Sequence, residues 1–173
     1  MSGERLKRWL ARAGLLIAAF ALVGSAISCA SPEIAPQVDK QAPDFTLDTT
    51  SGTEITLSEL RGTPVVLNFW AIYCPTCRAE LVRFEAVAEQ SNGDMAVITV
   101  NAGESRSKVE QFFGDYKIPF TVALDGDTRV SQSYNVRYIP TTFFIDSKGI
   151  IRYIKVGAFT SETELGEALE SIQ

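Results

Sequence analysis

A chain of 173 residues, 46% of them hydrophobic, has the length of one ordinary globular domain plus an appendage. It has no histidine and three cysteines, Cys29, Cys74 and Cys77, which excludes a self-contained four-ligand zinc site, His-ligated haem and Cys-His or Ser-His nucleophilic machinery. The net charge of -5 divides into +3 over residues 1–29 and -8 over the rest, and so acidic a body is a poor partner for nucleic acid or an anionic membrane surface.

Arg5, Lys7, Arg8 and Arg12 precede an apolar run of 14 residues, Leu15 to Ser28, that ends at Cys29. A charged start, a short apolar stretch and small residues at its end describe a secretory signal. The run is shorter than the roughly 20 residues that span a bilayer as a helix. Ala26-Ile27-Ser28-Cys29 resembles a bacterial lipobox, with alanine where leucine is usual. That resemblance implies lipidation of Cys29, which becomes the mature N-terminus. Residues 1–29 therefore have three readings: lipid anchoring through Cys29, an uncleaved membrane anchor, or plain signal cleavage. All three place the remainder outside the cytoplasm, because positive charge ahead of the apolar segment stays inside. Residues 30–43 carry three prolines and few large apolar groups, and read as an extended linker.

The domain is expected from residue 44 to 173. Residues 44–47 and 54–57 read as short strands around a Ser51-Gly52 turn, an N-terminal β-hairpin. Ser58 is placed to cap a helical turn, Glu59 to Arg61, stopped by Gly62. Val65 to Trp70 is almost continuously apolar, as a central strand buried on both faces should be. A helix is predicted from Pro75 to about Gln90, with proline at its first position and Leu81, Phe84, Val87 and Ala88 on one face. Met95–Val100 reads as a strand. Ser107–Tyr116 reads as a helix with Val109, Phe112 and Phe113 pointing inward. Thr121–Leu124 is a strand and Thr128–Tyr134 a short helix. Residues 142–146 and 150–156 form a hairpin, and a last helix is capped by Ser161 with Glu164 as its capping-box partner. Alternating strands and helices imply an α/β domain, a central mixed sheet with helices on both faces.

Cys74-Pro75-Thr76-Cys77 follows a buried strand and opens a helix. Spacing of i, i+3 brings both sulfurs to one side of the first turn, within reach of a disulfide. The helix N-terminus supplies partial positive charge and unpaired N–H groups, which favour a thiolate. Only a thiolate attacks a disulfide, and such settings lower a cysteine from about 8.5 to roughly 3.5–7.5. Cys74, nearest the helix end, is the expected nucleophile; the deeper Cys77 is the expected resolving thiol.

The segment from Leu67 to Glu80 resembles the active-site stretch of the TlpA/ResA/CcmG-type extracytoplasmic thioredoxins, relatives of the peroxiredoxins. Ile55 to Gly62 resembles their lead-in, Ile139 to Asp146 their cis-proline segment, and residues 101–125 their central helix–strand insertion. The resemblance, over roughly residues 42–172, implies a thioredoxin-like fold and thiol–disulfide exchange. It implies a cis bond at Pro140, opposite the thiols, with Ile139 turning its backbone toward a docked client. It makes Glu80 a proton acceptor for Cys77, more so because Asn68 stands where cytosolic thioredoxin has a buried acid. Pro75 and Thr76 face the client and tune the potential. Trp70 is either an apolar wall beside the thiols or simply core. Tyr138 and Val82 depart from the pattern, as does Pro75-Thr76, where many relatives place proline before the second cysteine.

The function expected is reduction of disulfides in extracytoplasmic client proteins, apocytochrome c among the candidates, by a membrane-tethered monomer. The reductant is a membrane electron donor; no cofactor, metal or nucleic acid is expected. Two alternatives stand beside it. A peroxiredoxin-like peroxidase would need proline and threonine at positions 67 and 71, which hold Leu67 and Ala71. A non-catalytic thioredoxin-fold binding lipoprotein would use the architecture alone.

Overall fold

The computed structural model describes residues 36–173. The expected signal or anchor, Cys29 and the linker as far as residue 35 lie outside the described residues.

The elements follow in the expected order. Strands β1 (Thr46–Asp48) and β2 (Glu54–Thr56) pair antiparallel, with Leu47 opposite Ile55. A 3₁₀ turn at Leu57–Leu60 leads to β3 (Val65–Trp70) and α1 (Pro75–Gln90). Then come β4 (Ala96–Ala102), α2 (Arg106–Phe113), β5 (Thr121–Asp125) and α3 (Arg129–Ser133). Strands β6 (Thr141–Ile145) and β7 (Ile151–Val156) and helix α4 (Glu162–Glu170) complete the chain. The five-stranded sheet has the order β5-β4-β3-β6-β7; β3, β4 and β5 run parallel, and β6 and β7 run antiparallel to their neighbours.

Strand β3 lies in the middle, and the pleat sends its side chains alternately to two cores. Val65, Leu67 and Phe69 join Leu57, Val130, Tyr134 and Phe143 on the face covered by the 3₁₀ turn and α3. Val66 packs with Phe84 of α1, Phe144, and Leu165 of α4 on the other. The buried stripe of α1 is Cys77, Glu80, Leu81 and Phe84, so one carboxyl group and one cysteine sulfur share the helix face that the sequence pattern predicts to be apolar.

Both sheet edges are covered. The hairpin closes on β5 through the Thr50 N–H to the Val122 carbonyl, 3.0 Å. Along β7, Asp39 N–H donates to Ile151 O (2.7 Å), Ile151 N–H to Lys40 O (2.9 Å), and Ala42, itself buried, to Gly149 O (3.0 Å). This corrects the expected linker: residues 39–42 belong to the domain, because an edge strand's unpaired N–H and C=O groups take up the passing backbone.

Two local expectations are also corrected. Ser58 does not cap the 3₁₀ turn; its own amide donates to Asp44 Oδ1 at 2.8 Å. At α3, where the sequence gives no capping expectation, the Thr128 side chain does not cap the helix. The buried Asp125 does so, accepting from Val130 N–H (3.2 Å), Ser131 N–H (2.7 Å) and the Ser131 hydroxyl (2.6 Å). Phe112 is 37% exposed, because α2 turns Val109 and Phe113 toward the sheet instead. At α4 Ser161 Oγ accepts from Glu164 N–H at 3.1 Å as expected, but the Glu164 carboxylate accepts from Thr160 N–H (3.0 Å) in place of the Ser161 amide that a capping box would use.

Candidate active site

The site lies at the C-terminal end of β3. Ala71-Ile72-Tyr73 turns the chain, closed by the Cys74 N–H to the Ala71 carbonyl at 3.1 Å, and α1 begins at Pro75. Cys74 occupies the N-cap in extended conformation, and its Sγ accepts from Cys77 N–H at 3.1 Å. Cys74 and Cys77 are joined by a disulfide, their Cα atoms 5.3 Å apart. Cys74 retains 7% exposure and Cys77 1%, so a partner has access chiefly to Cys74. The exposed Tyr73, Pro75 and Thr76 surround it, and Thr76 Oγ1 stands 3.4 Å from Cys74 Sγ.

The Ile139–Pro140 peptide bond is cis, and Pro140 is buried at the head of β6. The Ile139 carbonyl oxygen lies 3.9 Å from Cys74 Sγ. The expected juxtaposition of proline loop and thiols is therefore present. Tyr73 and Tyr138, 75% and 72% exposed, each neighbour one member of this contact. Trp70 is fully buried and shares one apolar cluster with both cysteines, so wall and core are the same thing here. Its ring packs against Phe112 and Phe113, with centroids 5.6 and 5.7 Å away.

Glu80 is 3% exposed. Its Oε1 accepts from Phe159 N–H (2.9 Å) and its Oε2 from Asn68 Nδ2 (3.3 Å); Asn68 also donates to Thr142 Oγ1 (2.9 Å). Burial pushes the carboxyl above its ordinary range, against the pull of the Phe159 amide, Arg83, Asn68 and Lys155. A cavity of about 130 Å³ lined by Thr76, Ala79, Glu80, Arg83, Ala158 and Phe159 opens beside it. The Phe159 amide escapes sequence reading because it arrives from 79 residues away.

Fold and site together define a class, the thiol–disulfide oxidoreductases built on the thioredoxin fold. The chain belongs to the redoxin family, whose pattern matches residues 37–170. It is 36% identical over 162 residues to the thioredoxin-like protein YneN of Bacillus subtilis, covering 91% of this chain and 94% of that protein. It is 32% identical over 173 residues to the thiol-disulfide oxidoreductase ResA of Geobacillus kaustophilus, covering 98% and 99%. The crystal structure of the exposed lipoprotein thioredoxin of Streptococcus pneumoniae superposes with a TM-score of 0.66 at 27% identity, covering 74% of this chain and all but 2% of that one (98%).

Proposed function

We propose that this oxidoreductase works outside the cytoplasm, tethered through its first 29 residues, and reduces disulfides in client proteins. The observation that carries the reading is the Cys74 sulfur, held at the helix N-cap by the Cys77 amide and facing the Ile139 carbonyl. In the reduced protein the Cys74 thiolate attacks one sulfur of a client disulfide, and the other client sulfur leaves and takes a proton. Cys77 then attacks Cys74 in the mixed disulfide, releasing the second client thiol. Two electrons pass to the client, and the Cys74–Cys77 disulfide remains.

Each surrounding residue has a part in this sequence. The Cys77 N–H and the end of α1 stabilise the Cys74 thiolate. Glu80, buried one turn beyond Cys77, accepts the Cys77 proton, since a carboxyl raised by burial is better matched to that transfer near neutral pH. The Ile139–Pro140 turn and the exposed Pro75 and Thr76 receive the client backbone, and Trp70 keeps water from the sulfurs.

An oxidising compartment does not regenerate the dithiol, so the electrons come from a thiol-reducing membrane protein. Cys29 is the proposed lipid attachment point, supported by the segment before it and by the lipoprotein character of the pneumococcal relative. Apocytochrome c is the first client to test, because haem attachment at C-x-x-C-H needs both thiols free. The experiment is trapping. Cys77→Ala should accumulate a mixed disulfide between Cys74 and client, visible by non-reducing electrophoresis and mass spectrometry. Absence of any Cys74-linked adduct with a reducible client would contradict the reading.

A further inference from the structure

The loop that presents Cys74 is held from another strand. The Ile72 amide, two residues before the cysteine, donates to Glu104 Oε2 at 2.8 Å. The same oxygen accepts from Asn101 Nδ2, also at 2.8 Å. Glu104 sits in the turn after β4, which Gly103 makes possible with φ of 77°. Asn101 is fully buried near the end of β4, paired with Trp70 in the β3–β4 register. Its amide nitrogen goes to Glu104, while its own carbonyl oxygen has no partner among the described residues. A buried amide that leaves its acceptor unmatched to keep one hydrogen bond marks that bond as worth explaining.

We propose that Glu104 is a positioning residue for the exchange reaction. Its carboxylate ties the end of β4 to the 71–73 loop and fixes Cys74 against α1 and the Ile139 carbonyl. Charge-assisted bonds to two N–H donors on separate segments make a stiffer tie than a neutral acceptor would. Exchange requires the attacking sulfur to be aligned with the client disulfide, and slack in the loop disperses that alignment. The proposal rests on Cys74 being the attacking thiol.

The test uses the reduced full chain with insulin disulfides as substrate and follows amide hydrogen exchange at Ile72. Glu104→Ala should slow exchange by on the order of tenfold or more, the scale expected from misplacing a reacting group. It should also deprotect the Ile72 amide while unfolding stays cooperative. Glu104→Gln keeps an acceptor oxygen for both donors and should restore the rate to within about threefold of the unsubstituted protein. If the alanine variant fails to fold, Glu104→Met, which keeps the side-chain volume and removes both acceptors, is read in its place. An unchanged rate in Glu104→Ala or Glu104→Met overturns the proposal, as does a glutamine variant as slow as alanine. Failure of the unsubstituted chain to reduce insulin at all would instead overturn the function proposed above.

Discussion

Asn68, in the middle of β3, donates to Glu80 on α1 across 3.3 Å, binding the central strand to the helix that carries both thiols. Glutamine at position 80 can be accommodated, because Asn68 can turn its amide and the Thr142 hydroxyl can reverse its role. Glu80→Gln should therefore fold, yet lose the proposed proton acceptor for Cys77. At neutral pH the rate of client release should fall by roughly ten- to a hundredfold. In the native protein that rate should climb as pH rises through the raised Glu80 value, and the glutamine variant should lose this limb. Stopped-flow pH–rate profiles of both proteins check it.

The same group affects stability. A carboxyl whose folded value is raised holds its proton more tightly in the folded state than in the unfolded one. Stability should thus fall as pH rises from the ordinary carboxyl range through the raised value, and level off above it. Urea midpoints across this window should decline more steeply for the native protein than for Glu80→Gln.

Phe84 is fully buried where α1 meets Phe144 and Leu165. Phe84→Ala should cost about 3–5 kcal/mol, the usual range for deleting a buried aromatic ring. Denaturant titration with an unchanged m-value would confirm a packing loss; a cost under ~1 kcal/mol would mean that the site collapses around the gap.

Asp125→Ala removes the acceptor for two backbone amides and one hydroxyl at the start of α3. A loss of roughly 1–3 kcal/mol is expected, since the donors stay buried. Calorimetry would measure it.

What the sequence shows of this site is its local part. Cys74, Pro75 and Cys77 are legible because strand, N1 proline and i, i+3 spacing all fall within a dozen residues. Pro140 and Glu80 come from resemblance, and the structure places the Ile139 carbonyl of the cis Ile139–Pro140 bond 3.9 Å from Cys74 Sγ and Glu80 on the buried face of α1. Glu104 is not legible: it meets the loop 32 residues away, and a glutamate in a turn after a strand looks like any solvated one. Asp44 and Asp125 escape for a related reason. Capping cues look at the residue just before a helix, whereas Asp125 lies four residues ahead of Arg129. Residues 39–42 have a linker's composition, and only an edge strand in three dimensions makes them part of the sheet.

The central claim is that the Cys74–Cys77 couple donates electrons to clients, and its reduction potential is the most direct measure of that. Equilibration against glutathione or dithiothreitol buffers should give a value well below about -200 mV, in the territory of reducing thioredoxin-type couples. A value near about -120 mV would mark a disulfide donor and contradict the proposed direction of electron flow.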